Sequence, residues 1–241
     1  MEKEIYEGQF GKISYLRRKG DIPLVMIHGF TASSKIWDSM IRFLNPSFDV
    51  ICPDLYGHGD TPFPESFNQE TGKTGIQDMI LFQCMAISDL LNNLGIKKFY
   101  LAGSSLGGWI AMEMVHRIMK PEKLILIDTA GSAPLEDSAY SHGIEQLMQE
   151  FAKENGKLFS GMIADIKPEN FEVNDDLLNS LNMPVSVIWG KNDGIIDYNY
   201  GIKFFRKLPK ARFYPVEGGH TPFVDKPFTV ATIINMFLLN H

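Results

Sequence analysis

The chain is short of several things, and each shortage excludes a class. Only two of its 241 residues are cysteine, Cys52 and Cys84, too few for a disulfide-stapled scaffold. Cys52 falls in a strand-like run and Cys84 in a helix-like one, so both read as reduced core residues. No apolar run approaches the ~20 residues of a membrane span. Positive charge is not in excess either. The net charge of −6 disfavours nucleic acid as a partner. Met1-Glu2-Lys3-Glu4 carries two acids with no apolar run behind it, so it does not read as a signal peptide. The expectation is a cytoplasmic protein with no membrane and no nucleic-acid partner. Internal repeats and low-complexity linkers are absent as well. Arginine is missing from the whole of Pro134–Met183, where ten acids face three lysines for a local charge of −7, leaving +1 for the rest. A solvated helical surface explains that imbalance. So does a cover that repels anionic substrates.

What remains is ordinary for a soluble enzyme, with 44% hydrophobic and 22% charged residues, enough to bury one large α/β core. Eight strands can be read. Glu4–Phe10 and Ile13–Arg18 alternate weakly around Gly11, as an edge hairpin does. Leu24–Ile27 is a continuous apolar run, as a strand covered on both faces should be; Lys98–Ala102 reads as a buried strand, and Asp49–Cys52, Leu124–Ile127 and Val185–Trp189 as further strands. Ala211–Val216 is the last strand. Helical spacing appears between them: around Ile36–Leu44 with Ser33 or Ser34 as cap, over Gln77–Leu94, after Ser105, near Tyr198–Leu208 and over Phe223–Leu239. Such alternation implies a mostly parallel sheet flanked by helices. Only Pro134–Met183 breaks it, being helical and loop-like without a convincing strand.

Gly103-Ser104-Ser105-Leu106-Gly107 joins an apolar strand to an apolar helix. A serine at so sharp a turn needs side-chain-free neighbours two before and two after it, which makes Ser105, not Ser104, the candidate nucleophile. A small-residue turn without chemistry is the competing reading. A serine hydroxyl is a poor nucleophile unless an imidazole takes its proton and a carboxylate orients that imidazole. Of six histidines, His220 in Glu217-Gly218-Gly219-His220 follows the last strand, on a loop loose enough to reach across the sheet edge. His28 reads as a structural group and His58 as a loop residue that braces the site. His116 lies on the helix after Ser105, His142 in the insertion and His241 at the end. For the acid, Asp193 lies just past a strand's carboxyl end, where open α/β sheets build sites. Asp197 and Asp128 are its rivals, each also readable as a helix cap or turn acid. An oxyanion would find the backbone N–H of Leu106 and, after the third strand, that of Phe30.

These pieces resemble the α/β-hydrolase superfamily, in its cap-bearing serine esterase and C–C hydrolase branch. The resemblance rests on His28-Gly29-Phe30, Asp54-Leu55-Tyr56-Gly57-His58-Gly59, Gly103–Gly108, Gly190–Asp193 and Gly218-Gly219-His220, in the family's order along nearly the whole chain. It implies an α/β-hydrolase fold: an eight-stranded sheet with the second strand antiparallel and a short helical cap between strands six and seven. The core would span 1–133 and 184–241, the cap 134–183. It also implies catalysis by Ser105, Asp193 and His220 without metal or organic cofactor, in a monomer or homodimer. Relatives that dehalogenate haloalkanes or open epoxides use aspartate as nucleophile, and serine at 105 argues against both. The resemblance to the menaquinone-pathway lyase lacks that family's arginine after the glycine pair, where Trp109 stands. The acidic, arginine-free insertion disfavours dicarboxylates and coenzyme A thioesters.

The expected substrate is therefore a small-molecule ester with a small to medium apolar acyl or aromatic part. Trp109, Met148, Phe159 and Met162 are the candidate pocket residues. The cap's apolar residues serve equally well as glue between cap and core. C–C bond hydrolysis or a menaquinone-pathway-type elimination on the same triad, and a non-catalytic small-ligand receptor of this fold, are the alternatives.

Overall fold

A computed structural model describes residues 1–64, 75–132, 146, 149 and 172–240. Eight strands form one sheet: β1 (Glu2–Gly8), β2 (Gly11–Arg18), β3 (Ile22–Ile27), β4 (Phe48–Pro53), β5 (Tyr100–Ser104), β6 (Lys123–Ile127), β7 (Val185–Gly190) and β8 (Ala211–Val216). Their order across the sheet is β1-β2-β4-β3-β5-β6-β7-β8. β2 runs antiparallel to both of its neighbours, β1 and β4, while every pairing from β4 to β8 is parallel. This is the sheet that the family resemblance implies.

The helices are α1 (Asp38–Ile41), entered through a 3₁₀ turn at Ser34–Trp37, α2 (Ile76–Asn93), α3 (Leu106–Arg117), α4 (Asp175–Ser180), α5 (Tyr198–Arg206), α6 (Pro222–Asp225) and α7 (Pro227–Leu239). None of the described helices is long and apolar enough to cross a membrane.

Alternation along the central strands sorts the core into two layers. Val25, Ile27, Leu101, Leu124 and Leu126 point to one face, under α2, α3, α4 and α5. Leu24, Met26, Ala102, Ile125 and Ile127 point to the other, under α1, α6 and α7. Each fully buried Leu, Ile or Phe contributes about 1.5–3 kcal/mol, so both helical layers are held by these strands. Cys52 and Cys84 are buried free thiols in opposite layers.

Three local differences from expectation have physical causes. The first hairpin turns two residues early, at Gln9-Phe10, because Gly8 pairs with Gly11 and Gly11 takes φ +106°. The single helix expected around Ile36–Leu44 is a 3₁₀ turn followed by one α turn. Its buried Ser34, Trp37 and Met40 recur every third residue, a 3₁₀ spacing. The last helix is two, because Pro227 has no N–H to continue α6.

Of the expected cap, only Gln146, Gln149 and residues 172–183 lie among the described residues. In that last part, Leu177, Leu178 and Leu181 are buried in the same layer as Trp109 and Val185.

The topology places the site. From β3 the chain goes to β4 on one side and then crosses to β5 on the other. The carboxyl ends of β3 and β5 therefore diverge into a crevice, the place where such sheets bind ligands.

Candidate active site

Ser105 stands where β5 ends and α3 begins, with φ +53° and ψ −121°. A non-glycine residue so placed costs on the order of 1–3 kcal/mol and persists only where its surroundings impose it. Here they do. Ser105 N–H donates to the Ile127 carbonyl at 3.0 Å, and its own carbonyl accepts from Gly108 N–H and Ala130 N–H, each at 3.0 Å. Any Cβ on Gly103 would stand 2.2 Å from the Gly107 carbonyl oxygen, and one on Gly107 would stand 2.2 Å from that of Ile27. This is the physical content of the G-x-S-x-G spacing.

His220 arrives from the loop after β8. Its Nε2 lies 2.9 Å from Ser105 Oγ, and its Nδ1 lies 2.8 Å from Asp193 Oδ2. Because an ionised carboxylate only accepts, the proton belongs on Nδ1, and Nε2 is left as acceptor for the serine hydroxyl. Backbone contact ties the histidine loop to the acid turn: Asn192 N–H donates to the Gly218 carbonyl at 2.9 Å. Gly219 N–H donates to Asp225 Oδ2 at 2.8 Å, so α6 anchors the loop from the other side.

Asp193 is the carboxylate that meets the imidazole. Its other oxygen, Oδ1, accepts from Ile195 N–H at 2.8 Å and Ile196 N–H at 2.9 Å. Its rivals do other things. Asp197 caps α5 by accepting from Asn199 N–H at 2.8 Å. Asp128 is wholly buried at the end of β6, where Oδ1 accepts from Gly190 N–H at 2.8 Å.

Leu106 opens α3, so its N–H is one of the first-turn amides that have no partner within the helix. Gly29 packs against the serine: a Cβ there would stand 3.0 Å from Ser105 Cβ. Phe30, next in the chain, lines the cavity beside Ser105. Gly29–Ala32 closes as a turn, Ala32 N–H to Gly29 carbonyl at 3.4 Å, which puts Thr31 at φ +60°. Among the described residues, the non-glycine residues with positive φ are Thr31, Ser105 and Asp128, each just past the carboxyl end of a parallel strand, β3, β5 and β6 respectively.

His28 is a structural group. Nε2 accepts from Leu55 N–H at 3.0 Å while Nδ1–H donates to the Gly29 carbonyl at 2.7 Å, so the neutral ring staples two loops. Burial pulls its pKa down to about 4. His58 packs 5.3 Å from His28 and 5.6 Å from Phe30, centroid to centroid. Burial, then the charge of His28, brings His58 down to about 3. Asp54 is a brace that sequence reasoning left without a role. It accepts from Ser34 N–H at 2.7 Å and from Asp60 N–H at 3.0 Å, holding the two loops at the crevice mouth. Its signal was an acid immediately after Pro53, at a strand's carboxyl end.

A cavity of about 780 Å³ opens on Ser105 and His220, walled by Phe30, Ala32, Ile36 and Ile195, with Lys35 also in its lining. Ile36 and Ile195 were not singled out from sequence. Both follow residues that were, Ser33 or Ser34 and Asp193. Trp109 does not line this cavity and is corrected as a pocket residue. It lies one turn along α3, and that direction leads into the core, where it is wholly buried against Gly131. Met148, Phe159 and Met162 lie outside the described residues.

Known proteins agree with this architecture. The family model for the alpha/beta hydrolase fold matches residues 22–175. Monoacylglycerol lipase ABHD6 of Bos taurus is 22% identical, over 93% of this chain and 78% of its own length. The uncharacterized hydrolase YugF of Bacillus subtilis is 21% identical, over 93% of this chain and 92% of its own. Among solved structures, carboxylesterase CesB (YbfK) of Bacillus subtilis superposes with a TM-score of 0.76 at 19% identity, over 99% of this chain and 92% of that one. With most of its length matched by that family model and its sheet built in that order, this chain belongs to the α/β hydrolase fold family.

Proposed function

We propose that this protein is a serine carboxylesterase that cleaves small to medium apolar acyl or aromatic esters. The observation that carries the reading is the unbroken line from Ser105 Oγ to His220 Nε2 at 2.9 Å and from His220 Nδ1 to Asp193 at 2.8 Å, opening on an apolar cavity. The carboxylesterase and lipase names among its relatives support the class.

The chemistry follows from the geometry. As Ser105 Oγ attacks the ester carbonyl carbon, its proton passes to His220 Nε2. Asp193, buried and accepting at both oxygens, holds the ring in place and stabilises the imidazolium. The carbonyl oxygen becomes an oxyanion facing the backbone N–H groups of Phe30 and Leu106, a pair whose members each contribute about 3 kcal/mol in such sites. Collapse breaks the C–O bond, and His220 gives its proton to the departing alcohol. A water, deprotonated by the same nitrogen, then attacks the acyl-serine. The acid product leaves and the hydroxyl is restored. The walls formed by Phe30, Ala32, Ile36 and Ile195 receive the apolar part by burial, and need no charged partner.

The test is hydrolysis of p-nitrophenyl acetate, butyrate and octanoate by the wild type beside Ser105→Ala. Release by the wild type well above the alanine variant is expected. Equal release by both contradicts the reading. Turnover of vinylogous diketones but not esters would move it to C–C hydrolysis, and saturable binding without turnover would move it to a receptor.

A further inference from the structure

Asp128 is a buried ionisable group that the steps above do not use. Its residue has no exposed surface, and its backbone is held at φ +44°. Oδ1 accepts from Gly190 N–H at 2.8 Å, but the buried Oδ2 meets no donor. The carboxyls that act on it are those of Asp193, which is within hydrogen-bond reach, and Asp225. Two ionised carboxylates can only accept, so that oxygen stays orphaned unless one member of the pair carries a proton. The donors decide which. Asp193 receives three, from Ile195 N–H, Ile196 N–H and His220 Nδ1–H, and each favours its ionised form. Asp128 receives one, from Gly190.

We propose that Asp128 is a positioning residue of this site, a neutral carboxylic acid that accepts the Gly190 N–H on Oδ1 and donates its own proton to the Asp193 carboxylate. The proposal rests on the reading of Ser105, His220 and Asp193 given above. It does two things for them. The bond to Gly190 ties the acid turn to the end of β6, so Asp193 is held by its backbone as well as its side chain. The donated proton gives Asp193 a further donor, which tempers how strongly it stabilises the imidazolium. Burial pushes the Asp128 carboxyl well above the ordinary carboxylate range, the charge of Asp193 and the carboxyl–carboxyl hydrogen bond add to this, and the Gly190 N–H works against it. The titratable groups facing the pair are Asp225, on α6, and His220, on the loop after β8.

The test compares wild type, Asp128→Asn and Asp128→Leu by NMR titration of the His220 ring, which needs no substrate, and by the acid limb of the kcat/KM profile. A carboxamide reproduces both bonds, accepting from Gly190 and donating to Asp193. The conservative variant is therefore expected to keep the ring's titration midpoint within about 0.3 units of wild type. Leucine removes the donor, and the midpoint and acid limb are expected to rise by about one unit. A fall of about one unit in Asp128→Asn shows that a negative charge was removed, and overturns the proposal. No movement in either variant also overturns it, leaving Asp128 a packing residue. Should the leucine variant not fold, infrared spectra at neutral pH decide. The C=O stretch of a protonated carboxyl is expected in the wild type and not in Asp128→Asn, and its absence from the wild type overturns the proposal. A protein with no esterase activity would end the reading of the triad while leaving the NMR and infrared results to judge Asp128 separately.

Discussion

The two ends of β6 are built by opposite rules. At its amino end Lys123 spreads its ammonium over the carbonyls that close α7, Phe237 at 3.0 Å and Leu238 at 3.1 Å, and over that of the cap residue Asn240 at 2.8 Å. That is a cation capping a helix C-terminus, which helps the fold and asks for no unusual backbone. Arg18, at the end of β2, acts similarly, donating to the Ile41 carbonyl at the end of α1 at 2.8 Å and to the Asn45 carbonyl at 2.7 Å. At the carboxyl end of the sheet stand Asp128, Asp193 and His220, and there too lie the positive-φ non-glycine residues Thr31, Ser105 and Asp128 itself. Acids are gathered there and backbone strain is tolerated. The amino end spends nothing on geometry, while the carboxyl end accepts strain to place a few atoms. Changes at the first should therefore move stability, and changes at the second should move activity.

The sharpest way to break that contrast is at Ser105. Replacement by alanine is expected to lower kcat by about 10³–10⁶-fold with little change in Tm. Replacement by glycine, free of strain at φ +53°, is expected to abolish activity while raising stability by about 1 kcal/mol. Steady-state kinetics beside thermal unfolding reads both. A glycine variant less stable than wild type would remove strain from the account.

Gly107 belongs to both categories. A Cβ there meets the Ile27 carbonyl oxygen at 2.2 Å, backbone against backbone. Gly107→Ala is expected to lose about 3 kcal/mol or more in denaturant unfolding, and activity with it.

Acid should weaken the fold through the loops at the carboxyl end. His28 is neutral when folded down to about pH 4 but has an ordinary value of 6.5 when unfolded. The unfolded state therefore binds the extra proton first. Stability is full above pH 6.5 and is lost as pH falls from there towards 4, at about 1.4 kcal/mol per pH unit. His58 acts in the same sense down to about 3. Equilibrium unfolding across that range measures the slope, and His28→Gln should reduce it by one proton's worth. An unchanged slope would show that His28 does not carry it.

The smallest expected effect is at the quiet end. Lys123→Met should cost about 1–2 kcal/mol of stability and leave kcat and KM as they were. A change in KM there would contradict the separation of the two ends.

Much of this was legible in the chain. Leu24–Ile27 declared itself by a continuous apolar run, as a strand covered on both faces does, and the other buried strands were readable although Asp49 and Ser186 are buried within them. Ser105, Asp193 and His220 were readable because each sits at a strand end beside glycines, and the structure brings the three together. What was not legible depended on contacts distant in sequence. The role of Asp54 comes from amides at 34 and 60. The inward direction of Trp109 comes from the registration of α3 on the sheet. The break at Pro227 shows in the structure, where α6 has ended and α7 begins at that proline.

The most direct measurement is labelling with a fluorophosphonate followed by peptide mapping. The account expects one covalent adduct, on Ser105, formed by the wild type and lost in His220→Asn. An adduct on Ser104, or none on a folded protein, would contradict it.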